Sequence, residues 1–469
     1  MRKRTLLLAA TLTTGLLTTA LVSPATAAPS GLTGDFNGDG YRDIAAGAAC
    51  ADVGSASCAG AVVVLYGSAS GVSAARRTVI TQNSAGVPGT AEAGDLFGSA
   101  LAAGDLDRDG YSDLVVGASN ESIGDRDGVG SGTVLWGGKS GLAGGKGLPQ
   151  PSTLSEYGNF SRGTGDFDGD GDTDVTLTGQ SHTRIYNGPF TRTAGPLNNL
   201  RVGEVGTTFE VIAGDLSGDG AAERVYPFNV DGDTGGEINY FRWTGTTHKM
   251  AELPNADGYP GSIGDINRDG YGDLVLGDHA DPYGLKPGSH KGGQITVWYG
   301  GPNGPDPAQQ PTVVHQDTAG VPGAAEAEDG FGSAVSTGDI NGDGYADVVV
   351  SAPGEDIGST KDAGSVTVLF GSASGLRTGS GVKSYTQNSA GVPGSAEKGD
   401  RFGSAVGLTD VTKDGKADLV IGVHGENGTG GLWTLRGSAT GLTTSGAQGI
   451  TAAAVSLKGS VGLGSNVAQ

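Results

Sequence analysis

Asp105-Leu-Asp107-Arg-Asp109-Gly-Tyr-Ser-Asp113, followed at once by Leu114-Val-Val-Gly117, is the stretch that decides the fold of this 469-residue chain. The same nine-residue frame begins again at six other positions: Asp35, Asp166, Asp215, Asp265, Asp339 and Asp410. Successive starts are separated by 70, 61, 49, 50, 74 and 71 residues. Repeats of this length, each with short β-branched runs, suit the four-stranded blades of a propeller. The repeat therefore predicts an all-β fold, a seven-bladed β-propeller.

The spacing of polar side chains within the frame has a chemical reason. Oxygens at positions one, three and five of a tight loop converge on one point, and the backbone carbonyl at position seven joins them. The glycine at position six allows the sharp turn, and a carboxylate at position nine closes the set. Hard oxygen ligands in this number favour Ca²⁺ over zinc or copper. The sequence therefore predicts several structural calcium ions, up to seven.

The predicted ligands occupy positions one, three, five, seven and nine of the seven loops. They are Asp35, Asn37, Asp39, Tyr41 and Asp43; Asp105, Asp107, Asp109, Tyr111 and Asp113; Asp166, Asp168, Asp170, Asp172 and Asp174; Asp215, Ser217, Asp219 and Glu223; Asp265, Asn267, Asp269, Tyr271 and Asp273; Asp339, Asn341, Asp343, Tyr345 and Asp347; and Asp410, Thr412, Asp414, Lys416 and Asp418. Because the fourth and seventh loops carry Ser217 and Thr412 at position three, we expect them to bind calcium more weakly. The fourth is the loop expected to stay empty if any does.

The charge of the chain has the same origin. Its formal net charge is −22, and 23 of its 51 acidic residues stand at positions one, three, five and nine of the loops. Without a cation these carboxylates would repel one another strongly over a few ångströms. Seven divalent ions would add +14 and leave −8. Such acidity argues against a nucleic-acid partner and against an anionic membrane surface.

The first residues read as an export signal. Met1-Arg2-Lys3-Arg4 is basic, an apolar run extends from Leu6 to Val22, and small residues at 25–28 suit signal peptidase. A membrane anchor is the alternative, but the run is short and rich in Thr and Gly. We therefore expect residues 1–28 to be removed, residues 29–469 to form one secreted or cell-surface domain, and no other segment to span a membrane.

The two cysteines, Cys50 and Cys58, lie close together in a chain expected to be exported. A disulfide that closes one surface loop is the favoured interpretation, with free thiols as the alternative. Metal binding by this pair is disfavoured because no further Cys or His lies nearby in the sequence.

A second motif accompanies the loops. Phe97-Gly98-Ser-Ala precedes the second loop, Phe331-Gly332 and Phe402-Gly403 precede the sixth and seventh, and Ser351-Ala352-Pro353 follows the sixth. The chain thereby resembles the FG-GAP repeat of integrin α-subunit propellers, in a secreted, bacterial form. The resemblance implies calcium loops between the first and second strands of each blade, on a lower rim. The third, fourth and fifth repeats lack a Phe-Gly pair at the expected place.

The two ends of the chain are predicted to meet in one blade. Residues 463–469 (LGSNVAQ) align with residues 97–103 (FGSALAA), and residues 32–35 align with residues 102–105. The C-terminal segment would therefore supply the strand that the first blade lacks, and the ring would have no open edge.

Motifs of catalysis are missing from the sequence: it has no G-x-S-x-G, no H-E-x-x-H and no Walker loop. We therefore expect no catalysis and a monomeric module that binds or adheres to an extracellular protein or glycan. The alternatives are a secreted carbohydrate-active or ester hydrolase built on a propeller, and a passive structural component of the envelope. Carboxylate pairs are plentiful enough to leave the hydrolase open.

Binding is expected on the face opposite the calcium loops. The candidate residues there are Asn120, Glu121, Asp125, Arg126 and Asp127; Asp278, His279 and Asp281; and Glu355, Asp356, Lys361 and Asp362. Three near-identical stretches, 82–89, 316–323 and 387–394, also recur between blades. Repetition of this kind favours a role in blade architecture over a binding code.

Overall fold

The structure is a computed structural model that describes residues 29–149, 162–178, 182–204, 207–208, 210–229, 238–254, 256–282 and 289–468. Its strands form seven antiparallel sheets arranged in a ring, which confirms the predicted seven-bladed β-propeller. The expected export signal, residues 1–28, lies outside the described residues. Within the described ranges, no helix has the length and apolar character needed to cross a bilayer.

The blades follow one another in chain order. Blade one contains β1 (Ile44–Ala48), β2 (Ala61–Leu65) and β3 (Arg77–Ile80); blade two β4 (Phe97–Gly104), β5 (Asp113–Ala118), β6 (Ser131–Trp136) and β7 (Ala143–Gly147); blade three β8 (Arg162–Gly165), β9 (Asp174–Thr178), β10 (His182–Asn187) and β11 (Asn198–Glu204); blade four β12 (Thr207–Thr208), β13 (Ile212–Gly214), β14 (Glu223–Asn229), β15 (Ile238–Trp243) and β16 (His248–Leu253). Blade five contains β17 (Gly261–Gly264), β18 (Asp273–Asp278), β19 (Gln294–Trp298) and β20 (Thr312–Val314); blade six β21 (Val335–Gly338), β22 (Asp347–Ala352), β23 (Ser365–Leu369) and β24 (Lys383–Tyr385); blade seven β25 (Phe402–Thr409), β26 (Asp418–Val423), β27 (Gly431–Arg436) and β28 (Thr443–Thr451).

The core lies between adjacent blades. Strands β2 of blade one and β5 of blade two are buried along their whole length, because each face of a blade packs against a neighbour. One cluster joins Val62 and Val64 of blade one to Leu114 and Val116 of blade two. Burial of a fully enclosed Val or Leu side chain stabilises a fold by roughly 1.5–3 kcal/mol. Apolar side chains buried between adjacent blades therefore hold the ring together.

The Phe-Gly motif links one blade to the next. The Phe97 N–H donates to the Ala59 carbonyl of blade one at 3.0 Å, and the Phe97 ring is buried. Gly98 has φ +92°, and a Cβ there would lie 2.5 Å from the Ala61 carbonyl oxygen. The glycine is required because the backbone approaches the preceding blade too closely for a side chain. Phe331 and Phe402 bond in the same way to Gly292 and Ala363.

The C-terminal segment closes the ring as predicted. Val467 pairs with Ala46 of β1, the register that the alignment with Leu101 and Val116 of blade two requires. The Gly47 N–H donates to the Asn466 carbonyl at 3.1 Å. Leu463 takes the place of the motif phenylalanine, since its N–H donates to the Thr429 carbonyl of blade seven. We call residues 460–468 the clasp.

The predicted disulfide is present. Cys50 and Cys58 are bonded within the segment 49–60 that joins β1 to β2. Asp52 in that segment accepts the Cys58 N–H at 3.1 Å, and its own N–H donates to the Lys458 carbonyl at 2.8 Å. The disulfide-closed loop therefore also rests against the chain that leads into the clasp.

Candidate functional site

The seven acidic loops lie at one end of the blades. Loops two to seven each lie between the first and second strands of a blade, as the resemblance to FG-GAP repeats implied, and loop one precedes β1, to which the clasp adds the first strand. We call this end the lower rim. Backbone hydrogen bonds join neighbouring loops. In each of them, the N–H at position eight of one loop donates to the position-one carbonyl of the loop before it. Six such bonds, of 2.7–3.4 Å, are present among the described residues: Ser112 to Asp35, Ala222 to Asp166, Gly272 to Asp215, Ala346 to Asp265, Ala417 to Asp339, and Arg42 to Asp410. The last of these connects loop seven to loop one.

Within a loop, the first carboxylate organises the turn. Asp339 accepts the N–H groups of Gly342, Asp343 and Gly344 at 2.6–3.2 Å. The position-five carboxylate of every loop accepts the N–H two residues later, as Asp343 does from Tyr345 at 3.0 Å. These bonds hold the carboxylates on the inside of the turn, where a cation would meet them.

The carboxylate at position nine has a structural role as well. Asp113 accepts the Leu106 N–H at 2.9 Å and the Gly137 N–H at 2.7 Å, so it ties its loop to the end of the third strand. Asp43, Asp174, Asp273, Asp347 and Asp418 make the same pair of bonds. Each oxygen of Asp113 accepts one bond and retains a lone pair, which leaves it able to coordinate a metal as well.

The donor set of the loops fits a hard divalent cation. In loop two Asp105, Asp107 and Asp113 each place one oxygen within 4.8 Å of the others, and in loop three Asp166, Asp168 and Asp174 do the same. The Oδ1 atoms of Asp107 and Asp168 are buried and have no hydrogen-bond partner. Buried polar atoms of this kind are rare unless water or an ion satisfies them. Carboxylate, amide and carbonyl oxygens are the ligands that calcium takes.

The fourth loop keeps part of this geometry despite its departures in sequence. Glu223 reaches back to accept the N–H groups of Leu216 and Ser217 with one oxygen, at 2.7 and 3.2 Å. Its other oxygen, together with the Ser217 hydroxyl oxygen, is buried without a partner. The longer glutamate side chain therefore makes the loop bonds of the aspartates at position nine, but its second oxygen makes no bond to the end of the third strand.

One arginine that the sequence pattern did not single out lies against the second loop. The Arg192 guanidinium bonds to Asp107 and Asp109 at 2.6 Å each and to the Gly137 carbonyl at 3.0 Å. It comes from the 3–4 turn of blade three, so it joins two blades through the loop carboxylates. A cation in loop two would compete with this arginine or share its carboxylates. No sequence pattern indicates this contact, because Arg192 lies outside the repeated frame.

The metal-free carboxylates at position nine hold protons tightly. Burial raises the pKa of Asp43, Asp113, Asp174 and Asp347 to about 7, and that of Asp273 and Asp418 to about 6. The pKa of Glu223 rises to about 7 for the same reason. The backbone N–H bonds to these groups act in the opposite direction, and repulsion from the other loop carboxylates adds to the effect of burial.

These pKa values predict how metal-free stability depends on pH. A carboxyl whose pKa is raised by folding adds stability that is fully present below its unfolded value near 4 and is lost as the pH rises through its folded value. In a chelator, the urea midpoint of residues 29–469 should therefore fall between about pH 5.5 and about pH 8. Saturating calcium should flatten or reverse this trend, because the ion binds the deprotonated form. A metal-free midpoint that rises over this range would contradict the prediction.

A central channel of about 570 Å³ runs along the inner strands. Its lining is rich in small polar residues, such as Ser99, Thr164, Ser262, Thr337 and Ser404. Glu210 also lines it, and burial raises the pKa of this carboxyl to about 8. An acid that stays protonated near neutral pH in a channel can donate a hydrogen bond.

The opposite end of the blades, which we call the upper face, carries the segments between second and third strands. In blades one, two and six these are residues 49–60, 119–130 and 353–364, each with the same small turn closed by a two-residue bridge. Side-chain bonds fix the turns, as when Asp356 accepts the Asp362 N–H at 3.1 Å. Blade seven has a shorter segment, residues 424–430. The corresponding segments of blades three and four lie outside the described residues.

Several upper-face candidates have a structural role instead of facing solvent. Glu121 and Glu355 accept hydrogen bonds from the amides of Gln82 and Gln316, which begin the repeated stretches between blades. Glu426 accepts the same bond from Gln387 at 2.8 Å, and the two residues of each pair are 39 positions apart. That constant spacing could have revealed Glu426, which the sequence reasoning missed. It also supports an architectural role for the repeated stretches.

The candidate residues in blade five are also held by hydrogen bonds or ring packing. Asp278 is 2% exposed and accepts from the Gln294 amide at 3.3 Å, so it is a core residue and not a surface one. His279 packs edge-on against Tyr259 with ring centroids 5.1 Å apart. Asp281 accepts the N–H groups of Gly292 and Glu328 at 2.7 and 2.8 Å. Asp125 and Asp127 in blade two, in contrast, are exposed.

Comparison with known proteins identifies the repeat. The pattern of the FG-GAP repeat family matches residues 27–65, 97–135, 331–369 and 402–435, which correspond to blades one, two, six and seven. A solved structure of a Bacteroides uniformis protein with a provisional 6-phosphogluconolactonase assignment aligns with a TM-score of 0.46 at 11% identity, over 87% of this chain and 97% of that chain. An alignment of that quality carries no inference about function.

Curated relatives share parts of the propeller. Mouse phosphatidylinositol-glycan-specific phospholipase D is 31% identical over 157 residues, 34% of this chain and 17% of that protein. Integrin alpha-PS2 of Drosophila melanogaster is 28% identical over 232 residues, 43% of this chain and 15% of that protein. Human integrin alpha-IIb is 30% identical over 174 residues, 36% of this chain and 15% of that protein. The matched stretches thus span less than a fifth of each relative.

Proposed function

We propose, from the premise that this chain is an FG-GAP-repeat, integrin-like β-propeller, that it is a calcium-dependent binding or adhesion module that works outside the cell. The lower rim is the structural end, where calcium fixes the seven loops, and the upper face is the end that meets an extracellular protein or glycan. The observation that carries the proposal is this division of the molecule. Carboxylates with buried unpartnered oxygens lie at one end, and rigid loops with exposed polar tips lie at the other.

Rigidity at the upper face supports the binding role. Loops whose backbone is already fixed lose little conformational freedom when a partner binds, so more of the contact energy remains as affinity. The turns at 53–56, 123–126 and 357–360 are each closed by backbone bonds of 2.9–3.2 Å. The exposed side chains of Asp125, in the second of these turns, and of Asp127, directly after it, are therefore presented in a fixed arrangement.

The relatives support a module in which the loops on the upper face, and not the repeats, determine the binding partner. The repeats are shared with integrin subunits and with a phospholipase named for phosphatidylinositol-glycan, so the repeats themselves do not specify one chemistry. A secreted carbohydrate-active or ester hydrolase remains the second candidate. Glu210 in the channel, with its pKa raised to about 8, is the observation that favours it.

An array experiment tests the proposal. Residues 29–469 would be applied to glycan and extracellular-matrix protein arrays in calcium and in EDTA, and screened on polysaccharides and esters for turnover. The test variant removes two exposed upper-face acids (Asp125→Ala and Asp127→Ala), and Glu252→Ala on the outer strand β16 is the control. We expect saturable, calcium-dependent binding that weakens at least about tenfold in the test variant only.

Two outcomes would contradict the proposal. If the upper-face variant binds as well as the unaltered protein, the contact lies on another surface. Turnover of a polysaccharide or an ester that Glu210→Gln abolishes would establish the hydrolase in its place.

A further inference from the structure

The upper face of blade five carries a group of side chains unlike any in the acidic loops: His290, His315 and Asp317. One ligand atom from each lies within 4.8 Å of the other two. His290 belongs to the segment before β19, and the other two belong to the turn after β20. From this arrangement we propose that the three residues form a binding site for a transition-metal cation of the Zn²⁺ class, separate from the calcium loops.

The tautomer of the neutral His290 ring is set by the residue that follows it. Its Nδ1 lies 2.8 Å from the Lys291 carbonyl oxygen, which can only accept, so Nδ1 carries the hydrogen. In the neutral ring the Nε2 lone pair then faces outward, and Nε2 lies 3.6 Å from the Asp317 Oδ2 atom. A lone pair and a carboxylate facing each other are both electron donors, and a cation between them relieves the conflict. A backbone bond at Nδ1 is also the usual partner of a histidine that binds metal through Nε2.

His315 supplies a third donor. Its ring stacks on that of His290 with centroids 3.5 Å apart and an angle of 7° between the planes. The Nδ1 atom of His315 is buried and has no hydrogen-bond partner. Imidazole nitrogens and a carboxylate are the donor set that zinc takes, at bond lengths of about 2.0–2.2 Å. Nitrogen lone pairs lie in the ring planes, so the two stacked rings must tilt apart before their donors can meet at one ion.

The backbone holds these residues in place. Asp317 accepts the Ala325 N–H at 3.1 Å with its Oδ1 atom, so its Oδ2 atom is the one directed at His290. The Thr318 N–H donates to the His315 carbonyl at 2.9 Å, and the Gly293 N–H donates to the His290 carbonyl at 2.9 Å. Three protein donors leave at least one position of a tetrahedral ion for water or for a group of a bound partner.

The corresponding turns of blades one and six show that the donor set is particular to blade five. Where blade five has His315-Gln316-Asp317, blade one has Thr81-Gln82-Asn83 and blade six has Thr386-Gln387-Asn388. Asn83 and Asn388 accept the same backbone bond that Asp317 accepts, at 3.1 and 3.0 Å. The turn therefore forms with threonine and asparagine, and the histidine and aspartate are not needed to build it. This provides variants, His315→Thr and Asp317→Asn, that should fold.

A simple ion pair is the competing explanation. A protonated His290 beside Asp317 would satisfy both groups without a metal, and His315 would then be a bystander. The two explanations differ in whether zinc binds with definite stoichiometry, and in whether the removal of His315 matters.

Zinc titration of the untagged chain, residues 29–469, tests the proposal. The protein would be kept in millimolar calcium so that the acidic loops are not available to zinc, and titrated calorimetrically with ZnCl₂. Co²⁺ in place of zinc would report coordination through its visible absorption. We expect one equivalent of zinc to bind, with affinity at least about tenfold weaker in His315→Thr and in Asp317→Asn. His424→Ala, an exposed histidine that follows the second strand of blade seven and lies outside the group, is the control and should leave binding unchanged.

Calcium-dependent melting of the same variants separates this site from the acidic loops, since both substitutions should leave the calcium effect intact. The absence of stoichiometric zinc in the calcium-saturated protein would overturn the proposal. Zinc binding that survives both substitutions would overturn it equally.

Discussion

Calcium should raise the thermal midpoint of the chelator-treated protein by more than about 10 °C, and magnesium at the same concentration should raise it far less. An ion present at a hundred times its dissociation constant adds about 2.7 kcal/mol per site when it binds only the folded form. Five loops have an acid or amide at position three, so together they would add roughly 13 kcal/mol. For a chain of this length, about 1 kcal/mol of added stability raises the thermal midpoint by about 1 °C. Magnesium demands a smaller, more regular ligand shell and gives up water reluctantly.

Scanning calorimetry in EDTA, in calcium and in magnesium measures this effect, and one loop can be disabled as an internal check. Asn341→Ala with Asp343→Asn removes two predicted ligands of loop six but leaves an acceptor for the Tyr345 N–H. The calcium-induced shift should then fall by about one site's share, roughly 3 °C. Glu252→Gln, far from every loop in sequence, is the control. Equal midpoints in calcium and in EDTA would refute the structural role of the ion.

Deletion of residues 460–469 should lower the midpoint by roughly 5–10 °C. Val461 and Leu463 are fully buried, and the clasp bonds to Ala45, Gly47 and Thr429. Loss of two buried side chains and several backbone bonds costs about 8 kcal/mol. The deletion also exposes the edge of β1 and breaks the link between blades seven and one.

Point variants keep this prediction testable if the truncated chain fails to fold. Leu463→Ala should destabilise the protein by about 2–5 kcal/mol, because it leaves a cavity at a site that is 0% exposed. Lys458→Ala, exposed and just outside the clasp, should change the free energy of unfolding by less than about 0.5 kcal/mol. An unchanged melting curve for the deletion or for Leu463→Ala would refute the clasp.

The ring and its closure could be predicted from sequence because both depend on a repeated local pattern. The register of Val467 against Ala46 follows directly from the alignment of the clasp with blade two. The position of each acidic loop follows from the strand that begins at its ninth residue, as β5 does at Asp113. Local spacing and burial were sufficient for these features, so no long-range information was needed.

Features that depend on one non-repeated contact could not be predicted. Arg192 reaches Asp107 from another blade, and nothing in its own segment indicates this. Arg224 stands where other blades have an apolar residue, yet it is fully buried, lies 5.1 Å from the Phe167 ring centroid and bonds to His248 at 3.0 Å. Asp278 looked like a loop residue because it ends a strand, and packing buries it.

The metal content of the calcium-equilibrated protein tests the central claim most directly. Residues 29–469 would be dialysed against calcium, freed of unbound ion and measured by mass spectrometry for bound metal per chain. The acidic loops predict between five and seven calcium ions per chain, with loops four and seven the weakest. A calcium content below one ion per chain would contradict the account of the lower rim.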